Sequence, residues 1–583
     1  MPSKPTQQHH RSSPAFERLD QKFHAALARA TASISPTSLM LAFADWATHL
    51  ATSPGRQMEL ARLACEHAAE LSGYVGATRS ASLHGTPRSA VAMPEQDRRF
   101  ADPAWNQWPF DILKQAFLLN QQWWEAATRG VHGVAPHHED VVAFAVRQWL
   151  DMFSPGNYLL TNPRVLKQTR EEAGRNLQRG AVNLIEDAEA LATGARPVGS
   201  ERFVVGRDVA ATPGKVVLRN RLVELIHYQP TTPTVYPEPV LIVPAWIMKY
   251  YVLDLSAHNS LIRYLVDQGH NVFCISWKNP GRAERDLGME DYLELGFRAA
   301  LETVNAIVPK RKVHVAGYCL GGTLATIAAA AMARDGDDRL ASLSLLASQT
   351  DFSEPGELAL FIDDSQVAYL EDQMAESGYL TAAQMAGAFQ MLRSYDLLWS
   401  RMVNDYLLGQ RSAPNDLMAW NADATRMPAR MHSQYLRRLY LDNDLANGRY
   451  QVAGATVALG DLRVPIFCVG TQTDHVAPWR SVYKIHRETP AEFTFVLTSG
   501  GHNAGIVSEP GHPHRHFQIQ SSAAESLYED PDAWIEQAPH KEGSWWPEWS
   551  AWLADRSAAR AAPPRARHRT DLGAAPGRYV LER

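Results

Sequence analysis

The chain has 583 residues, of which 45% are hydrophobic and 9% aromatic, and a formal net charge of −6. Single cores stop growing near roughly 250–300 residues, so this length predicts two or more domains. The charge balance excludes a general nucleic-acid binder, which carries a basic excess, but leaves room for a local basic pocket that takes a phosphorylated ligand.

The opening "MPSKPTQQHHRSSP" lacks the apolar stretch of a secretory signal. Its first ~15 residues read as disordered. Residues 1–95 form an Ala-, Ser- and His-rich extension with patches of helical periodicity such as "MELARLACEHAAELSGY", where Cys65 reads as packing. Residues 96–200 are helical and aromatic-rich. "FDILKQAFLLNQQWWEAAT" places apolar residues at i, i+3, i+4 and i+7, which predicts a mainly helical N-terminal domain whose aromatic stripe is core or a partner-helix face.

From residue 201 the texture changes. Strand-like runs follow one another: "GKVVLRNRLVELIHY", "PVLIVPAW", "NVFCISW", "KVHVAG", "LASLSLLAS", "VPIFCVG" and "FTFVLTSG". From the second onward they are short and continuously apolar, as parallel strands covered on both faces are. Cys274 and Cys468 lie inside two of them and read as small buried hydrophobes. Helical patterns such as "SLIRYLVDQG" and "MEDYLELGFRAALETVNAIV" alternate with the strands, which predicts a doubly wound α/β domain over residues 201–583. The alternation breaks at about 351–448, too long for a structureless loop, so this segment is expected to be an inserted helical cap. "KEGSWWPEWSAWLADR" reads as an aromatic helix, and the remaining tail as irregular. No stretch reaches the ~18 apolar residues of a membrane span.

Chemistry concentrates in "HVAGYCLGGTLATIAAAAMA", His314 to Ala333. A strand, Gly-x-Cys-x-Gly-Gly and a helix form the frame of a nucleophile elbow, in which glycines permit a tight strained turn and the nucleophile, here Cys319, stands at the top of the sheet. The next N–H, that of Leu320, would face a developing oxyanion. The helix N-terminus favours a thiolate. In this frame the acid and base follow in that order. Asp474 stands just past "VPIFCVG" and His502 just past "FTFVLTSG", both where catalysts gather beyond the carboxyl ends of strands. His475, beside Asp474, is the alternative base, although no strand of its own precedes it. His512, His514 and His516 in "GHPHRH" read as a solvated loop, and no metal is expected. The four cysteines form no C-x-x-C pair, metal knuckle or disulfide framework, which fits a reducing cytoplasm. A cysteine rather than a serine matches a thioester substrate, because acyl exchange between sulfurs is nearly isoenergetic and a thiol leaves well.

These residues resemble the polyhydroxyalkanoate synthases, most closely the single-subunit class I type. "DRRFADPAW", "SPGNYLLTNPRV", "TPGKVVLRNRLVELIHYQPTT", "YYVLDLS", "GHNVFCISWKNP", "NDLMAWNADATRMP", "DHVAPW" and "GSWWPEWSAWL" are similar to family blocks and run from about residue 97 to the C-terminus. Residues 1–95 match nothing placed from sequence. The resemblance implies an α/β-hydrolase fold with an inserted helical cap. It implies polymerisation of (R)-3-hydroxyacyl-CoA into polyester, with release of CoA and no cofactor. In it Cys319 is acylated, His502 is the base and Asp474 orients His502. Leu320 and Ile247, the latter with Trp246 as neighbour, would supply the oxyanion N–H groups. A homodimer attached to cytoplasmic polyester granules through the N-terminal helical region is expected, with a cap that opens on dimerisation or substrate. Two departures stand out: Met248 where the family often has asparagine, and Gly500-Gly501-His502 in place of Ser-Gly-His. The alternatives are a cysteine-type hydrolase of the dienelactone hydrolase kind, whose elbow can also read Gly-Tyr-Cys-Leu-Gly-Gly, and an inactive granule-associated paralogue.

Overall fold

The structure, a computed structural model, describes residues 14–31, 33–81, 99–385, 387, 398–564 and 572–583. The disorder expected of the opening residues falls almost wholly on 1–13, outside the described residues. The described chain divides into two compact units: Met1–Ser33, Ser200–Ala386 and Asn415–Arg583 form one, and Ile34–Gly199 with Gly387–Pro414 the other.

The first unit is built on a ten-stranded sheet. Its strands are β1 (Gly214–Arg219), β2 (Val223–Tyr228), β3 (Val240–Val243), β4 (Val272–Trp277), β5 (Val313–Tyr318), β6 (Leu340–Leu346), β7 (Ile466–Thr471), β8 (Phe493–Thr498), β9 (His516–Ser522) and β10 (His540–Glu542). The order across the sheet is β1-β2-β4-β3-β5-β6-β7-β8-β9-β10. The centre, from β4 to β8, is parallel, and both flanks are antiparallel. β2, β3, β4, β5, β7 and β8 are buried at every position, as their continuous apolar runs require.

The run "GKVVLRNRLVELIHY" is a hairpin of two strands. Asn220 Oδ1 accepts from the N–H groups of Leu222 and Val223 at 2.8 and 2.9 Å, and this local turn ends β1. β9 lacks the apolar run of a central strand because it is a half-exposed flank, with Phe517 its one buried position. It begins at His516, which therefore lies in a strand rather than in a loop.

α-Helices of the first unit pack on its sheet. In chain order the first unit holds α1 (Pro14–Ala30); the second holds α2 (Pro36–Ala51), α3 (Pro54–Ala81), α4 (Phe110–Thr128), α5 (Pro136–Met152), α6 (Pro163–Glu171) and α7 (Arg175–Thr193). The first unit resumes with α8 (Leu261–Asp267), α9 (Ala299–Ile307), α10 (Leu320–Arg334), α11 (Asp364–Ser377) and α12 (Trp546–Asp555). α10 is buried from Leu320 to Met332, and its alanines let it lie close to the strands. The aromatic helix α12 is pinned by its indoles: Trp545 Nε1 donates to the Gly505 carbonyl, Trp546 Nε1 to that of Ile506 and Trp549 Nε1 to Ser344 Oγ, all at 2.9–3.0 Å.

Residues 351–448 are shared between the two units. α11 and the helix Ala429–Tyr435, which continues as a wide π-type turn over Leu436–Leu441, belong with the sheet. α1 packs on α11, where His24 Nδ1 meets Asp372 Oδ2 at 2.6 Å. The turn Met402–Leu407 lies instead beside α7 in the helical unit: Asn176 Nδ2 donates to the Leu407 carbonyl and Asn183 Nδ2 to that of Asp405, both at 2.8 Å. The helical unit has a small core of Phe100, Trp105, Phe117, Leu118 and Leu119. Beside it Arg99 and Asp151 form a buried ion pair at 2.7 Å. Cys274 and Cys468 are buried, but Cys65, expected in packing, is exposed on α3.

Candidate active site

Cys319 joins β5 to α10 with φ +52° and ψ −126°. Side chains rarely adopt that conformation, and it costs about 1–3 kcal/mol. The glycines around it make the turn possible. A Cβ on Gly317 would stand 2.2 Å from Gly322 Cα, one on Gly321 2.0 Å from the Val243 carbonyl oxygen, and one on Gly322 2.0 Å from Ser348 Oγ. Strand β6 holds the turn from below: Cys319 N–H donates to the Leu346 carbonyl at 2.9 Å, and Ser348 Oγ donates to the Cys319 carbonyl at 2.8 Å.

Asp474 and His502 arrive from the ends of β7 and β8. His502 Nδ1 donates to Asp474 Oδ2 at 2.7 Å. The same Oδ2 accepts from Thr471 Oγ1 at 3.0 Å, while Oδ1 accepts the N–H groups of Val476 and Ala477 at 2.8 Å. Burial pushes the Asp474 carboxyl up, but His502 and those backbone donors outweigh it and hold it below its ordinary value. Burial likewise pulls the His502 imidazole down. Asp474, the Cys319 sulfur and its hydrogen bonds to both outweigh this and hold it well above 6.5. The structure thus joins Cys319, His502 and Asp474 in one chain of contacts. The carbonyl of His475, the alternative base, accepts the Glu357 N–H at 2.9 Å near the start of the insertion.

Leu320 occupies the first position of α10, where helix geometry offers its N–H no acceptor within the helix. Ile247 lies on the loop after β3, half-buried, next to the buried Trp246. That loop begins against the elbow, at the Gly321–Val243 approach. His512 Nδ1 donates to the Pro513 carbonyl at 2.9 Å, His514 is exposed, and the His516 ring stacks on His540 at 5.1 Å. Among the described residues no group of three or more His, Cys, Asp or Glu side chains could hold a metal ion.

Sequence reasoning missed two tyrosines near the thiol. Tyr435 and Tyr440 are close enough to Cys319 for its charge to act on their phenols. Their hydroxyls meet at 3.1 Å. In a regular α-helix two residues five apart point about 140° away from each other. The wide turn over Leu436–Leu441 brings them onto one side. No apolar periodicity announces such a turn. Tyr318, read only as a filler position in the elbow, donates its hydroxyl to Asn503 Oδ1 and sets its ring 5.7 Å from that of His502.

The chain is related in sequence to known proteins. A model described as poly-beta-hydroxybutyrate polymerase N terminal matches residues 14–56, and one for the N-terminus of the same polymerase matches 96–265. An alpha/beta hydrolase fold model matches 238–509. The poly(3-hydroxyalkanoate) polymerase of Methylorubrum extorquens is 42% identical over 495 residues, which is 84% of this chain and 81% of that protein. The chain belongs to the poly(3-hydroxyalkanoate) polymerase family. The family's polymerase subunits PhaC from Rhizobium meliloti (strain 1021) and Cupriavidus necator are 39% and 37% identical, each over 84% of this chain and over 80% and 83% of their own lengths. The family match over residues 14–56 also corrects the reading that residues 1–95 match nothing placed from sequence: it covers α1 and α2. The catalytic unit of this polymerase family member has the α/β-hydrolase fold.

Proposed function

We propose that Cys319, His502 and Asp474 carry the polymerisation of (R)-3-hydroxyacyl-CoA into polyester. The observation that supports this most directly is the Asp474–His502 hydrogen bond at 2.7 Å behind a cysteine held on the strained elbow at φ +52°. His502 takes the thiol proton, and Cys319 Sγ attacks the thioester carbonyl. A new C–S bond forms, and the carbonyl electron pair moves onto oxygen, where the N–H groups of Leu320 and Ile247 receive it. The intermediate collapses, the bond to CoA sulfur breaks, and CoA leaves with the proton from His502. The 3-hydroxyl of a bound chain or monomer then attacks the enzyme thioester. His502 accepts its proton, an ester C–O bond forms, and Cys319 is released. Asp474 keeps Nδ1 of His502 protonated and the ring aimed at the sulfur, and it stabilises the imidazolium. It also helps to activate the attacking hydroxyl. No resident cofactor enters these steps; the CoA thioester is substrate.

The polymer stays bound while it grows, which keeps the enzyme in the cytoplasm at a granule surface; the resemblance to the polyhydroxyalkanoate synthases implies that it works there as a homodimer. Exposed apolar side chains in the helical unit support the granule contact. Trp149 and Phe153 are 70% and 64% exposed, with their rings 6.3 Å apart. No helix among the described residues is long and apolar enough to cross a membrane. The test is to incubate pure protein with 3-hydroxybutyryl-CoA and with 3-hydroxyoctanoyl-CoA, to follow CoA release and to size the product. Polymer is the expected result. CoA release with free acid and no polymer would leave a cysteine hydrolase, and no CoA release would leave an inactive granule protein.

A further inference from the structure

The loop that leaves β3, residues 244–249, is held by one short segment of the insertion. Thr425 Oγ1 donates to the Trp246 carbonyl at 2.6 Å. The Thr425 N–H reaches the Ile247 carbonyl at the longer 3.4 Å. Trp420 Nε1 donates to the Lys249 carbonyl at 2.7 Å, and Met248 bridges to Ala424. Thr425 and Trp420 are both buried. The other boundary of the loop is the sheet and the elbow: the Pro244 carbonyl accepts Trp277 Nε1 at 2.8 Å, and a Cβ on Gly321 would stand 2.6 Å from that same carbonyl oxygen. The loop therefore runs between the insertion and the turn that carries Cys319.

The Trp246–Ile247 peptide is trans. In a trans peptide the C=O and the N–H point to opposite sides. With its carbonyl tied to the Thr425 hydroxyl, this peptide has the direction of the Ile247 N–H fixed as well, on the side away from Thr425.

We propose that Thr425 is a positioning residue of the oxyanion site, fixing through the Trp246 carbonyl the direction of the Ile247 N–H that receives charge from the thioester oxygen. The inference deepens the reading of Cys319 as an acyl carrier and rests on it. Without the hydroxyl, the buried Trp246 carbonyl loses its short donor. The peptide then rotates toward whatever partner remains, and a carbonyl oxygen pointed at the oxyanion repels the charge the N–H would stabilise. The Thr425 hydroxyl acts through the Trp246 carbonyl, and so the effect is expected on the chemical step and not on binding.

The test compares wild type, Thr425→Val and Thr425→Ser as purified full-length chains, with CoA release from 3-hydroxybutyryl-CoA as the readout. Val keeps the shape and removes the hydroxyl; Ser keeps the hydroxyl and removes the methyl. The expected result for Thr425→Val is a kcat about 10²-fold lower, the size of losing one oxyanion donor. KM stays within about two-fold, and the pH midpoint of kcat/KM is unmoved, because Cys319 and His502 are untouched. Thr425→Ser recovers most of kcat. Melting temperatures monitor folding, and Thr425→Ala replaces Val if Val is not recovered folded. A hydroxyl-free variant as fast as wild type overturns the inference, as does a Ser variant as slow as Val. Wild type that releases no CoA overturns instead the function on which the inference rests.

Discussion

At the scale of single residues the site separates groups by what each contacts. Cys319 stands at the elbow with a positive φ, and the imidazole it meets is the one hydrogen-bonded to Asp474. Cys319→Ala is expected to abolish CoA release. Cys319→Ser is expected to lower it at least about 10²-fold, because an alkoxide is far harder to form than a thiolate at neutral pH; a wild-type-like serine variant in the same assay rules out the nucleophile. His502→Ala should cost about 10³-fold or more in kcat, as for removal of a triad base. His475→Ala, which keeps the carbonyl that accepts the Glu357 N–H at 2.9 Å, should stay within several-fold. Steady-state rates of the two variants decide between them, and the reverse order makes His475 the base. Both Asp474 and His502 were legible in the sequence because each follows a recognisable strand, and strand ends in a parallel sheet converge. Thr425 was legible only as part of a family-like block: its hydroxyl donates to a backbone carbonyl 179 positions away in the chain.

At the scale of elements, close approach decides which substitutions are tolerated. Gly321 lies against backbone, not against a flexible side chain: its Cβ would be 2.0 Å from the Val243 carbonyl oxygen. Gly321→Ala is therefore expected to destabilise the protein by about 1–3 kcal/mol and to displace the loop after β3. A melting curve and kcat report the two effects, and a variant unchanged in both contradicts this reading of the turn. The short helix Ile485–Glu488 ends in a half-buried carboxyl that is expected to make stability depend on pH. Burial first, and the nearby Asp351 carboxylate second, push Glu488 up from 4.5 to about 7. The folded state thus prefers the protonated acid, and this site's contribution to stability falls as pH rises from about 4.5 to about 7. Glu488→Gln removes that loss. Its melting temperature should exceed that of wild type at pH 8, by the equivalent of about 1–3 kcal/mol, and the gap should narrow toward pH 5. Calorimetry at the two pH values checks the sign, and a gap that widens toward acid refutes it. The central strands were readable because burial on both faces demands unbroken apolar runs. The β1–β2 hairpin and β9 were less so: Asn220 turns the chain by its own side chain, and a half-exposed flank needs only one buried residue.

At the scale of the whole molecule, the insertion between β6 and β7 does not serve one purpose. Part of it, with α1 against α11, belongs to the catalytic unit and sets Tyr435 and Tyr440 near the thiol. Part of it, the turn Met402–Leu407, is built into the helical unit through Asn176 and Asn183. The helical unit in turn exposes Trp149, Met152 and Phe153. Replacing Trp149 and Phe153 by serine is expected to reduce co-sedimentation with preformed polyester granules several-fold while CoA release from soluble substrate stays near wild type. Undiminished co-sedimentation of the double variant places the granule contact elsewhere.

Local chemistry was enough to mark the parallel strands, the elbow and the order Cys319, Asp474, His502, because each depends on residues within one strand and the turn that follows it. Apolar run length, glycine content and strand ends are properties of neighbours in the chain. The pairing of Asp474 with His502, the tyrosine pair at the thiol and the hold of Thr425 on the loop after β3 depend on segments far apart in sequence. They exist because burial of both faces of one sheet draws those segments together, and hydrogen bonds that short form only after the backbone has been brought into place.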